Sequence, residues 1–190
     1  MTPWIDVDCP DRRGPTRALC RRLARRVRRA ARAMGWTRAQ IDALELRIVD
    51  DAAMRVLKAE HFGVDEATDV LSFPAAGPLP EPGLGPWPGP DGEPGPGPGP
   101  GLDVDALGSL VINRDAVVRQ AVGPGPGAWL DEATSLLVHG LAHLQGHDHD
   151  RPDRARRMLR HERRGCRAVG LPCWRPYGRG GGGRSPGGRR

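Results

Sequence analysis

The run His139-Gly140-Leu141-Ala142-His143-Leu144-Gln145-Gly146-His147-Asp148-His149 sets three imidazoles, those of His139, His143 and His149, at positions i, i+4 and i+10. Residues four apart on a helix project from one face, one turn above the other. The preceding residues Ser135-Leu136-Leu137-Val138 are almost wholly apolar, so this helix is predicted to be buried and to carry its histidines inward. Buried imidazoles need partners, and one metal ion serves several at once. Gly146 can take the left-handed conformation that ends a helix, after which the chain can bring His149 back to the same point. Three imidazoles on one divalent ion leave a coordination position open, the pattern of a catalytic rather than a structural zinc site. The expected cofactor is one Zn2+ per chain, held by His139, His143 and His149.

The His spacing equals that of the metzincin metalloproteases, which place a Glu directly after the first His as general base. Here that position is Gly140, which has no group to move a proton. A zinc peptidase is therefore the weaker of the enzyme readings. Asp148 is the nearest carboxylate in sequence, either a base or an acceptor that orients its neighbours. His147 either contacts substrate or packs beside the metal. Glu132, two turns before His139, either steadies the site or favours the helix N-terminus.

The complete string His-Gly-x-x-His-Leu-x-Gly-His-Asp-His resembles the signature of the YbeY-type family. Three further blocks are similar to segments of that family in the same order. They are Ile48-Val49-Asp50-Asp51-Ala52-Ala53-Met54-Arg55-Val56-Leu57, Thr68-Asp69-Val70-Leu71-Ser72-Phe73-Pro74, and Leu107-Gly108-Ser109-Leu110-Val111-Ile112. Together the blocks cover most of residues 44–162. The resemblance implies a bacterial rRNA maturation factor, a single-strand-specific metallo-endoribonuclease acting at the 3′ end of 16S rRNA and in ribosome quality control. It implies single-stranded RNA and the small ribosomal subunit as partners, and no DNA. It also implies that Asp69 and Ser72 line the substrate cleft; read alone, the two residues serve equally well to cap and flank a strand. Two positions depart from the family pattern. Phe62, beside His61, stands where the family has an Arg taken as a substrate or catalytic contact, and Ser109 stands where an Asp is usual. Arg55 is the nearby cation that can substitute for that Arg. The non-catalytic alternative is an assembly factor whose zinc is structural.

Composition agrees with one domain of modest core. The 190 residues are 38% hydrophobic, with 27 Gly and 20 Pro concentrated in a few stretches. The formal charge of +6 favours an anionic partner. Lys58 is the only lysine, so the positive charge is almost entirely arginine, which a GC-rich genome also favours. Cys9, Cys20, Cys166 and Cys173 form no C-x-x-C pair and read as reduced thiols. No basic start with an apolar run precedes the first motifs, and no stretch approaches ~18 apolar residues. A cytoplasmic protein without membrane contact is the expectation.

Along the chain, Trp4–Asp8 alternates as a short strand and residues from about Pro15 to Met34 form a helix. Leu19, Leu23, Val27, Ala30 and Met34 mark its inner side. Its outer side is rich in arginine, either a phosphate-tracking surface or a solvated face. Leu46–Val49 is a strand, and Asp50 or Asp51 caps the following helix, in which Met54 and Leu57 point inward. Val70–Phe73 is a strand stopped by Pro74. Residues from about 75 to 102, rich in Pro and Gly, are predicted to form a disordered insertion between two neighbouring strands. Leu110–Ile112 is the last strand, and Asn113 or Asp115 opens a helix through Ala121. The histidine helix is predicted from near Ala128 to about Leu144. A closing helix runs from Arg151 to about Val169 with Met158 inward and His161 at the surface. Residues 1–169 are thus predicted to be one metal-dependent hydrolase domain, and 170–190 a disordered Gly/Arg-rich tail. Four strands and about five or six helices give an α+β class, a mixed sheet with helices packed on it.

Overall fold

The computed structural model describes residues 6–8, 15–74 and 108–172, with side chains in the last two ranges. The Pro/Gly stretch at 75–102 lies outside the described residues, as does the tail beyond residue 172. In chain order the elements are β1 (Asp6–Asp8), α1 (Arg17–Ala33), α2 (Arg38–Asp42), β2 (Leu44–Val49), α3 (Asp51–Phe62), β3 (Val70–Pro74), β4 (Gly108–Asn113), α4 (Arg114–Gln120), α5 (Pro126–Leu144) and α6 (Pro152–Ala168). This is the α+β class with a mixed sheet and six helices that the sequence predicted. The sheet order is β1-β2-β4-β3. β1, β2 and β4 are parallel, and β3 runs antiparallel to β4 with Val70 opposite Ile112 and Pro74 opposite Gly108. The Pro/Gly stretch therefore joins the facing ends of two paired strands.

Local signals explain most boundaries. Thr16 caps α1, its hydroxyl accepting from Leu19 N–H. Asp50 caps α3 by accepting from Ala53 N–H, and Asn113 caps α4 by accepting from Asp115 and Ala116 N–H. The short α2, not anticipated above, has a complete capping box between Thr37 and Gln40. α5 starts at Pro126, a residue suited to the first helical turn.

Alternation along the strands fixes which face meets which helices. Leu44, Leu46, Ile48, Leu110 and Ile112 share one core with α1, α5 and α6. Val49, Leu71 and Val111 turn to the other face and pack with Met54 of α3. α5 is the central helix: it contacts α1, α4 and α6 as well as β3 and β4. That is why it is apolar on nearly every side, with Leu130, Leu136, Leu137 and Leu141 fully buried. Each such leucine contributes about 1.5–3 kcal/mol of transfer free energy. The histidines of α5 are thus built on an element held from several sides. Cys20 is half-buried and Cys166 is buried in the main core. Among the described residues no helix is long and apolar enough to cross a membrane.

Candidate metal centre

The site is made where α5 ends. Gly146 has φ of 80°; its N–H donates to His143 O at 2.9 Å and the His147 N–H donates to Ala142 O at 3.1 Å. This pair of bonds is the Schellman motif, and it turns the chain back over the last helical turn. The Gln145 side chain donates to Met34 O at 3.1 Å, tying the turn to the end of α1.

The reversal brings three rings together. The Nε2 atoms of His139 and His143 are 3.1 Å apart. The His149 ring lies 5.4 Å from that of His139 and 5.2 Å from that of His143, centroid to centroid. One ligand nitrogen from each residue falls within 4.8 Å of the others. Two nitrogens at ~2.0–2.1 Å from one tetrahedral ion are about 3.4 Å apart, so this donor set fits a small divalent cation. His139 and His143 are half-buried and His149 is exposed, so the cluster has one open side.

Electrostatics keep His143 ready to ligate. Burial, then the neighbouring His139 and His149, push its pKa down to about 4, against smaller opposing effects of Asp148 and Glu162. It is neutral at physiological pH, the form that binds metal. His139 is steadied from behind: its Nδ1 lies 2.7 Å from Oε1 of Glu162 on α6, a carboxylate only 4% exposed. With the proton on Nδ1, donated to Glu162, the Nε2 lone pair points into the cluster. Glu162 escaped the sequence reading, although a signal existed. It is the one carboxylate on the apolar stripe of α6, four residues from both Met158 and Cys166. Glu132 lies beyond the first turn of α5, which contains no acidic residue.

The other candidate residues are distributed as follows. Asp148 is half-buried and accepts from the His149 N–H at 2.6 Å, which fixes the loop that presents His149. His147 is buried outside the trio, its ring 4.0 Å from that of His161. His161 is accordingly half-buried rather than at the surface, and burial beside His147 pushes its pKa down to about 4. Ser72 donates from Oγ to Gly140 O at 3.2 Å, joining β3 to the histidine helix. Asp69 accepts from Val70 N–H at 3.0 Å, and its carbonyl accepts from Asn113 N–H at 2.8 Å. Arg55 is exposed and forks onto Asp65, with Nη2 donating to Oδ2 at 2.6 Å. Phe62 is 53% exposed and tilts toward Phe73, whose ring also meets His61 edge-on at 4.9 Å. The structure thus assembles His139, His143, His149 and Glu162, with Asp148 adjacent. It engages Arg55 and Asp69 with other partners.

Gly140 has a steric reason. A Cβ there would meet Leu110 Cδ2 at 2.8 Å, Ser72 Oγ at 3.1 Å and Val70 Cγ2 at 3.3 Å. The helix lies too close to the sheet for a side chain, so a Glu in the manner of the metzincins has no room at this position.

The chain is similar to proteins of one family. Residues 12–170 match the sequence profile of a family described as Endoribonuclease YbeY. The chain is 40% identical over 155 residues to the Endoribonuclease YbeY of Anaeromyxobacter sp. (strain Fw109-5), covering 82% of this chain and 67% of that protein. It is 41% identical over 130 residues to that of Myxococcus xanthus, covering 65% and 37% of the two chains. It is 36% identical over 149 residues to that of Halorhodospira halophila, covering 75% and 84%. The matched part therefore spans between 37% and 84% of these relatives' lengths. A solution structure from Thermotoga maritima aligns with 82% of this chain and 84% of its own, with a TM-score of 0.45 and 19% identity.

Proposed function

Because this chain belongs to the YbeY endoribonuclease family, we propose that it is a zinc-dependent hydrolase that cuts single-stranded RNA during rRNA maturation, with the 3′ end of 16S rRNA on the small ribosomal subunit as its substrate region and the cytoplasm as its place of work. The observation that carries the reading is the convergence of His139, His143 and His149 with Glu162 behind the first. A structural zinc takes four protein ligands, and this group offers three with an exposed side, which favours catalysis.

His139, His143 and His149 would hold the zinc ion, which would supply Lewis acidity for activating water and for drawing charge from a phosphoryl oxygen. The chain's own groups prepare the place. Glu162 keeps the Nδ1 proton of His139, so that Nε2 is always the free donor. His143, neutral by burial, holds its lone pair without competition from a proton. Asp148 keeps the His149 loop in place, and in this reading it is the carboxylate that takes a proton at the open side. Ser72 anchors α5 to β3 through Gly140 O, which fixes the height of His139 above the sheet. In this reading His147 borders the substrate path, Asp69 and Ser72 line the cleft, and the exposed Arg55 attracts the RNA backbone.

The test compares wild type with His143→Ala, both shown to be folded by circular dichroism. Metal content and cleavage of a single-stranded RNA are measured on the same preparations. Loss of both in the variant is expected, and equal cleavage rejects the metal-dependent mechanism.

A further inference from the structure

Helices α1 and α6 each carry a stripe of arginine that the metal centre does not use. On α1, Arg21, Arg25, Arg29 and Arg32 recur every three or four residues and are exposed, while Leu23, Val27 and Ala30 on the other side are buried. On α6, Arg156, Arg160, Arg163 and Arg167 repeat the pattern opposite Met158, Glu162 and Cys166. α1 contains no acidic residue, and the only acids of α6 are Asp153 in its first turn and the buried Glu162. Among the described residues none of these stripe arginines has a carboxylate partner, whereas Arg26 and Arg28 are tied to Asp131 and Asp42. The two helices pack on each other. Their close approach is at Gly165, where a Cβ would sit 2.8 Å from Met34 Sδ. Arg32 is two residues before Met34, and Arg163 and Arg167 are two residues either side of Gly165. Residues two apart on a helix point about 200° apart, so both stripes face away from that contact, on the outward sides of two helices that pack on each other.

We propose that this two-helix arginine surface binds the phosphate backbone of folded RNA next to the strand that the metal centre cuts, an inference that rests on the nuclease reading above. Unpaired guanidinium groups at one per helical turn add their fields and offer forked donors to phosphate. The absence of exposed apolar groups decides among anionic partners. Among the described residues the exposed large hydrophobics are Val56, Phe62, Val64, Val118 and Val122, none on α1 or α6. A helix lying in a membrane surface needs an apolar face turned outward, and here the apolar faces are spent on the core. Single-strand binding relies on aromatic platforms for the bases, and these stripes have none. What remains is recognition of backbone alone, which suits the regular phosphates of a helical RNA. The placement also fits. α6 presents Glu162 to His139 on its inner side and its arginines on its outer side, so duplex held there lies about one helix diameter, ~10–12 Å, from the ligand cluster.

The test uses the full chain, two fourfold variants (R21Q/R25Q/R29Q/R32Q and R156Q/R160Q/R163Q/R167Q) and the corresponding Arg→Lys variants. Binding to an RNA hairpin with a single-stranded 3′ tail is measured from 50 to 200 mM salt. Cleavage is measured on that RNA and on a short unstructured oligonucleotide. Each Gln variant is expected to lower the salt slope of hairpin binding by roughly 2–4, at up to ~0.9 per phosphate contact. KM for the tailed hairpin should rise at least about tenfold, cleavage of the short oligonucleotide should stay within about twofold, and the Lys variants should behave as wild type. An unchanged salt slope in both Gln variants overturns the proposal. So does binding of wild type to phosphatidylserine vesicles in preference to the hairpin. A wild type that cuts neither RNA overturns the nuclease reading alone, because the salt slope still decides this one.

Discussion

Glu162 on α6 holds His139 of α5 through a 2.7 Å contact between Oε1 and Nδ1, across 23 residues of sequence. The carboxylate fixes the ring's tautomer and makes Nε2 a stronger donor, an effect commonly worth 10- to 100-fold in metal affinity. Glu162→Gln keeps an acceptor but removes the charge, so it should weaken zinc binding about tenfold. Glu162→Ala removes both and should weaken it by about a hundredfold. Competition with a chromogenic chelator reads both values; equal affinity in all three proteins would show that Glu162 does not set the ligand strength of His139.

The close approach of α5 to the sheet makes Gly140→Ala informative. In a free helix this change would stabilise by up to about 1 kcal/mol. Here the new methyl meets Leu110 Cδ2 at 2.8 Å, and Leu110 is fully buried in the main core with little freedom to yield. Overpacking of this kind costs about 1–3 kcal/mol, so the net effect should be a loss. Urea unfolding should show a lower midpoint for Gly140→Ala. Adding Leu110→Val should recover part of the loss, and a variant as stable as wild type would mean the helix can shift away from β4.

How much of this was legible in the chain follows from the range of each interaction. The α+β class, the buried α5, its end at Gly146 and the coming together of three histidines all follow from residues within a dozen positions of one another. The capping box of α2 was equally local, Thr37 and Gln40 being three apart, and was simply passed over. Glu162 is different in kind. Periodicity places it on the apolar stripe of α6, but only the packing of α6 on α5 says which group it meets. The same holds for His161, whose half-buried state depends on His147. Ser72 and Asp69 look alike as strand-flanking polar residues. Their partners, Gly140 O and the backbone of Asn113, lie 68 and 44 positions away. The sheet order β1-β2-β4-β3 is likewise a long-range fact that no local pattern encodes.

The depressed pKa of His143 predicts how the metal-free protein responds to acid. Its folded pKa of about 4 lies below the unfolded value near 6.5, so the unfolded chain takes up the proton first as pH falls. Stability should be fully present above pH ~6.5 and decline toward pH ~4, by about 2 kcal/mol at pH 5 and about 3 kcal/mol in all. Urea unfolding with chelator present, at pH 7.5 and pH 5.0, measures the difference. His143→Gln should flatten this dependence by a similar amount; an equally steep profile in that variant would assign the effect to other groups.

Asn113 makes four side-chain hydrogen bonds and links three elements. It is 0% exposed; its Oδ1 accepts from Asp115 and Ala116 N–H, and its Nδ2 donates to Asp51 Oδ1 at 2.7 Å and Thr68 O at 3.0 Å. Asp51 stays ionised because the Arg119 guanidinium, first, and the Asn113 amide hold its pKa below the ordinary carboxylate value, against the opposing effect of burial. Asn113→Asp would keep the α4 cap and replace both donors with an oxygen facing a carboxylate and a carbonyl. Leaving such groups buried and opposed costs about 2–4 kcal/mol, far more than the cap alone contributes. The expected result is a large drop in urea midpoint at pH 7. The gap to wild type should narrow as pH falls toward ~4, because burial opposite Asp51 raises the introduced carboxyl above its unfolded pKa and lets it protonate and donate again within that window. A gap independent of pH would mean that the loss comes from the cap or from packing rather than from the missing donors.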